Sequence, residues 1–422
     1  MITGTRVAGP HPRQTPSDTA AVKPLLVTHF TATSCLGRGL DATLDALRSQ
    51  RGGLTPCDFP RADLDTWIGA VDGVDAESIR ADLAHFDCRN NRLAQIGLAQ
   101  DRFAEHVMAA RARYGAKRIG VFIGTSTSGI LETEHAYQHR DAQTGALPAS
   151  FHYAQTHNVY SPAAFVRAVF GLGGPAMAIS SACSSGAKVF ASARRMLEAG
   201  LIDAALVGGV DSLCLTALYG FNSLELLSHK PCRPYDVARD GISIGEAAAF
   251  ALLERVPDAA LADDAILLLG IGESSDAHHM SSPHPEGLGA RAAMVQALET
   301  SGLATSDIDY INLHGTGTLS NDAAEACAMQ PLFDGTPCSS TKGATGHTLG
   351  AAGALEAVIA ALTLRHQFVP GGINTTQPDP ALALNYATTS RDARVRTALS
   401  NAFGFGGTNC SLIFGRADAA RS

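Results

Sequence analysis

The sequence predicts an α/β fold assembled from two similar halves, and three features carry that expectation. First, a strand, small-residue turn and helix follow one another twice. AMAIS (176–180), SACSSGA and KVFASARRMLEAG form one set, and TPCSS (336–340), TKGATGHTLGAAGA and EAVIAALTLR the other. Second, an apolar strand runs into a Gly/Thr turn in both RIGVFIGTSTSG (118–129) and YINLHGTGT (310–318). Third, strands alternate with helical stretches, the pattern of layered α/β proteins. A merely repetitive α/β architecture would show the same order, and the match between the halves is imperfect. No repeat of solenoid length is present.

In chain order, residues 1–24 read as a flexible leader, with early prolines and no apolar block of a secretory signal. Ordered sequence is expected from PLLVTHF (24–30), followed by a helix-like stretch at 41–50. RIGVFIGTSTSG reads as two short strands around a glycine turn. AMAIS reads as a buried strand, and the helix after it ends at Gly200, a residue suited to a helix C-terminus. LIDAALVGGVD gives another strand, and AAAFALLERV (247–256) closes a first half spanning 25–256. The second half, 257–422, repeats the order and ends on SNAFGFGGTN (400–409) between apolar segments.

The composition narrows the function classes. Hydrophobic residues make up 45% and charged residues 17% of the 422 positions, which excludes a mostly disordered chain. A formal net charge of -8 leaves no domain-wide basic field for nucleic acid. The longest apolar runs fall short of the ~20 residues a membrane helix needs, so a cytoplasmic protein without a membrane partner is expected. The nine cysteines contain no C-x-x-C pair and read as reduced thiols. The 42 glycines favour close backbone approaches.

Cys183 stands in AISSACSSGAK between a predicted strand and a predicted helix. Backbone N–H groups and the helix dipole beside it favour the thiolate, the form that acts as a nucleophile; a buried structural cysteine is the alternative. His314 in NLHGTGT and His347 in TKGATGHTLGAAG lie at loop ends where alternating α/β folds place their sites. Lys342, five residues before His347, adds a cation to the same turn. The glycines of SNAFGFGGTN suit either an oxyanion hole built from backbone N–H groups or a tight structural turn.

Together SSACSSGAK, HGTGT with DAAEA following, KGATGHTLGAAG and NAFGFGGTN resemble the β-ketoacyl-acyl carrier protein synthases, in the elongating branch. The resemblance covers about residues 25–416. It implies the thiolase-like fold, an internal duplication in αβαβα layers. It also implies an acyltransferase that condenses an enzyme-bound acyl group with malonyl carrier protein, extending the chain by two carbons.

By motif, Cys183 would accept the acyl group, with its own N–H and that of Phe405 as the oxyanion hole. His314 and His347 would stabilise the enolate left by malonyl decarboxylation. The resemblance further implies a supporting ion pair between Lys342 and Glu325, pantetheine contacts from Thr316 and Thr318, and an acyl gate at Phe405 with Phe403 beside it. A basic docking patch for an acidic acyl carrier protein would use Arg89 and Arg92, placed at a helix start; two solvated surface arginines are the plainer reading. A homodimer, or a heterodimer with a non-catalytic chain-length partner, is expected.

His278, His279 and His284 match a family loop without a metal, so the resemblance implies neither metal nor cofactor. GLGGPA at 171–176 precedes its strand, the wrong order for a dinucleotide site. No G-x-S-x-G elbow supports a serine hydrolase. A coenzyme A thiolase would need a second catalytic cysteine, and Cys410 lies past its glycine motif in an apolar strand. Departures from the family pattern, HGTGT in place of HGTST and the histidine-rich 131–160 segment, leave aryl polyene or other polyketide assembly beside fatty acid synthesis.

Overall fold

The structure, a computed structural model, describes residues 22–419. The leader expected over 1–24 therefore lies outside the described residues except for Val22–Pro24. One large sheet runs through the molecule, and ten strands form its main path. Five come from the first part of the chain: β1 (Leu25–Ser34), β2 (Ile119–Gly124), β3 (Ala176–Ile179), β4 (Ala204–Asp211) and β5 (Ala247–Arg255). Five come from the second: β6 (Ile266–Ser275), β7 (Tyr310–Asn312), β8 (Cys338–Ser339), β9 (Thr397–Gly404) and β10 (Thr408–Arg416).

The duplication is plain in the pairing. Read outward from the middle of the sheet, the order is β1-β5-β4-β2-β3 on one side and β6-β10-β9-β7-β8 on the other, joined by an antiparallel β1–β6 contact. The directions repeat as well. β2 lies parallel to β3 and β4, and β7 lies parallel to β8 and β9, while the β4–β5, β5–β1, β9–β10 and β10–β6 pairs are antiparallel.

Two helices, Ser185–Glu198 and Ala352–His366, form the central layer and share one apolar core with strands of both halves. Their closest approach needs glycine. A Cβ at Gly186 would lie 2.7 Å from the Ala354 nitrogen, and one at Gly353 would lie 2.6 Å from the Ala187 nitrogen. Helices Arg89–Leu98, Phe103–Tyr114 and Ser161–Val169 cover the outer face of the first half. Leu288–Ser301 and Leu319–Met329 cover that of the second, which completes the αβαβα layering. Leu349–His366 is long and apolar enough to cross a membrane, but 89% of that stretch is buried, as the innermost helix of a layered fold must be.

Two expectations about elements need correction. RIGVFIGTSTSG forms a single strand, β2, followed by a turn, because parallel neighbours on both sides keep the backbone extended through Gly120 and Gly124. β3 is not fully buried: it is an edge strand paired only with β2, and Met177 is 38% exposed. An apolar run does not distinguish an edge strand from a central one.

Candidate active site

The turns after β3, β7 and β9, together with the loop before the Ala352–His366 helix, converge on one cleft. Cys183, His314, His347, Thr316, Thr318, Phe403 and Phe405 all line it. Cys183 is held in the link between β3 and the Ser185–Glu198 helix, immediately after Ala182, a non-glycine residue at φ 51°. Left-handed backbone at an alanine costs energy, and such strain persists where the surroundings impose it.

The expectation of a ready thiolate is corrected. Burial pushes the Cys183 thiol up to about 11, and Asp211 and Glu356 push the same way. The Lys342 charge and the Phe405 N–H, which is directed at the thiol, oppose this only in part. The cause is the missing water: a helix N-terminus offsets little of the desolvation of a fully buried sulfur. The resting group at neutral pH is the thiol.

His314 and His347 face each other edge to face, with ring centroids 5.4 Å apart. Burial lowers both imidazoles well below 6.5, and the Lys342 charge adds to the effect, so both rings are neutral at pH 7. Lys342 Nζ lies 3.4 Å from His314 Nδ1 and donates to the His314 carbonyl at 2.5 Å. Because an ammonium can only donate, His314 Nδ1 must accept, which leaves its proton on Nε2. His347 Nδ1 is buried without a hydrogen-bond partner among the described residues. Phe403 packs 5.7 Å from the His314 ring.

The expected ion pair is corrected too. Lys342 pairs with Glu356, on the central helix Ala352–His366. Glu325 instead accepts the N–H groups of His314 and Gly315, both at 2.8 Å, and a hydrogen bond from the Tyr235 hydroxyl at 3.2 Å. One helical turn earlier, Asp322 accepts from the N–H groups of Thr316 (3.1 Å) and Gly317 (3.2 Å). Two buried carboxylates on the Leu319–Met329 helix thus grip successive N–H groups of the HGTG turn. Thr318 caps that helix by accepting from Asn321 N, and its hydroxyl lies 2.9 Å from that of Thr316.

At the mouth of the cleft Phe405 is half-buried, 5.8 Å from the Phe221 ring, and its flanking loop is fastened by a Gly406 N–H to Met280 O bond of 2.7 Å. Sequence reasoning missed Phe221, Asp322 and Glu356. Asp322 carried a usable signal, since it stands three residues before Glu325 on the same helix face. Cys410 lies buried in β10, away from the cleft.

Of the two arginines expected to dock a carrier protein, only Arg92 keeps partial exposure. Arg89 is 6% exposed and ion-paired with Glu246 (2.6 Å) and Asp75 (2.5 Å). Arg92, on the next turn, is half-buried and paired with Asp87 at 2.6 Å. The helix does start at Arg89, but the Arg89 side chain turns inward to a carboxylate distant in sequence.

Comparisons with known proteins agree with this geometry. Residues 23–259 match the beta-ketoacyl synthase N-terminal domain, and residues 266–376 match the C-terminal domain of the same family. A 3-oxoacyl-[acyl-carrier-protein] synthase 2 of Vibrio cholerae is 32% identical over 412 residues, 93% of this chain and 99% of that one. The mitochondrial 3-oxoacyl-[acyl-carrier-protein] synthase of Arabidopsis thaliana is 42% identical over 263 residues, 58% of this chain and 57% of that protein. A ketosynthase solved in complex with its chain length factor, from Xenorhabdus doucetiae, superposes with a TM-score of 0.83 at 38% identity, covering 97% of this chain and all of that one. The duplicated layers, the cleft and these matches together place the chain in the β-ketoacyl synthase family, whose members are acyltransferases.

Proposed function

We propose that the chain catalyses decarboxylative condensation of an acyl group held on Cys183 with malonyl carrier protein. The observation that carries this reading is one cleft holding Cys183, two neutral histidines and the Phe405 N–H. In the first half-reaction the sulfur attacks the acyl thioester carbonyl, the N–H groups of Cys183 and Phe405 receive the oxyanion, and the carrier thiol leaves with the proton. In the second, the malonyl carboxylate leaves as carbon dioxide. The electron pair it leaves forms an enolate, whose oxygen takes hydrogen bonds from His314 and His347. The enolate carbon then attacks the acyl–Cys183 carbonyl, and collapse expels the sulfur as a thiolate, which takes a proton from solvent to restore the resting thiol. Neutral donors suit this step because the enolate charge is transient.

Thr316 and Thr318 line the cleft and would offer hydroxyls to the pantetheine arm, and Phe405 with Phe221 would gate the acyl pocket. An acyl carrier protein is the partner this chemistry requires, and a cytoplasmic site of action fits it. Incubating the chain with acyl and malonyl carrier protein should release carbon dioxide and give a β-ketoacyl product two carbons longer. Absence of both would refute the proposal.

A second reading, a ketosynthase of polyketide or aryl polyene assembly working beside a chain-length partner, is favoured by the Xenorhabdus complex. The exposed edge of β3, with Tyr137, Tyr153 and Tyr160 also exposed, offers apolar surface for a second chain of this fold. Copurification with a related chain lacking the cysteine would support this reading. A purified homodimer that elongates saturated acyl chains unaided would refute it.

A further inference from the structure

The duplication gives Cys183 a structural counterpart. Ala182 (φ 51°) precedes Cys183, and Leu349 (φ 52°) precedes Gly350. Each central helix begins two residues after these positions, at Ser185 and Ala352. The glycines three residues on, Gly186 and Gly353, make reciprocal contacts with Ala354 and Ala187. Gly350 is therefore the position in the second repeat that Cys183 occupies in the first.

What faces Gly350 is a carboxylate. The Gly350 N–H donates to Asp211 Oδ2 at 2.5 Å, and Asp211 is buried at the end of β4. The same carboxylate accepts from the backbone N–H groups of Ser126 and Thr127, both at 2.9 Å, and from the hydroxyls of Thr125 (2.6 Å) and Thr127 (2.8 Å). Burial raises the Asp211 carboxyl from its ordinary value, and the five donor groups around it act the other way, favouring the ionised form. The turn that it gathers reaches the active site, because the Ser126 hydroxyl donates to the Ala182 carbonyl at 3.3 Å.

We propose that Asp211 is a positioning residue for Cys183. Its carboxylate fills the second repeat's counterpart of the anion pocket at Cys183 and, through Ser126, fixes the strained Ala182–Cys183 turn. The protein thus supplies its own anion to the site that carries no chemistry, and uses it to brace the site that does. Its negative charge, close to the thiol, raises the Cys183 thiol as well. The proposal rests on Cys183 as the acyl acceptor and concerns how that residue is held.

Two variants of the full chain test it, Ser126→Ala and Asp211→Asn. Each is followed by acyl transfer to Cys183, by the pH profile of Cys183 alkylation with iodoacetamide, and by thermal melting. Ser126→Ala keeps every backbone contact of Asp211. It should slow acyl transfer about tenfold, the scale of effect expected when a reacting group is misplaced by a fraction of an ångström. The KM for acyl carrier protein and the melting midpoint should be unchanged. Asp211→Asn should slow transfer further and move the alkylation profile to lower pH, since a negative charge beside the thiol is gone.

Wild-type transfer rates in Ser126→Ala would overturn the proposal. So would an Asp211→Asn variant that loses melting temperature while its alkylation profile stays in place. If Asp211→Asn does not fold, Ser126→Ala decides alone. A wild-type chain that takes no acyl group would refute the acyl-acceptor reading instead, and the alkylation rate of Cys183 in Ser126→Ala, slowed or unchanged, would still decide how the thiol is held.

Discussion

Lys342 and Glu356 form a buried ion pair that reaches from the turn before His347 to the central helix, and the same ammonium holds the His314 main chain. A single cation thereby links both histidines to the innermost element of the fold. Removing one partner of a buried pair strands the other charge, so Glu356→Gln should cost about 3–5 kcal/mol of stability. Glu325→Gln, which faces backbone N–H groups and no ammonium, should cost less, about 1–3 kcal/mol. Urea unfolding of the two variants ranks them, and the reverse order would contradict the pairing.

The protonation of Cys183 gives a pH prediction. A thiol raised to about 11 by burial is protonated at neutral pH and gains thiolate tenfold per pH unit. Alkylation by iodoacetamide should therefore climb with that slope through pH 9. A plateau at or below pH 9 would show that the helix N-terminus and Lys342 outweigh burial after all.

Arg89 and Arg92 separate a buried ion pair from a docking contact. Arg89→Ala leaves Glu246 uncompensated and should destabilise by about 3–5 kcal/mol. Arg92→Ala removes a partly exposed pair and should cost under about 1 kcal/mol. Denaturant midpoints test this. An Arg89→Ala variant of normal stability but raised KM for carrier protein would restore the docking role.

The two central glycines should respond alike. A methyl group at Gly186 or Gly353 meets backbone of the opposite helix, which cannot rotate away, so each alanine variant should lose about 1–3 kcal/mol. If either variant melts like the parent, the helices are not held at that spacing by the glycines.

Much of the fold and the site was legible in the sequence because it is local. Cys183, His314 and His347 each sit in a turn of glycine and small residues that follows an apolar strand, and both turn chemistry and strand periodicity are written in neighbouring residues. What was not legible depends on partners far along the chain. Lys342 could have paired with Glu325 or Glu356, and only folding places Glu356, fourteen residues on in an apolar helix, beside the ammonium. Glu246, which turns Arg89 inward, is 157 positions away. The exposure of β3 depends on its place at the sheet edge, which its apolar residues do not encode. Asp211 ends an otherwise apolar strand, and its importance emerges only when the two repeats are laid over each other.

The central claim, that Cys183 carries the acyl group, is tested most directly by mass spectrometry of the chain after incubation with an acyl carrier protein thioester. The acyl mass should appear on the peptide containing Cys183 and vanish in Cys183→Ala. An unmodified peptide, or an adduct undiminished in that variant, would contradict the assignment.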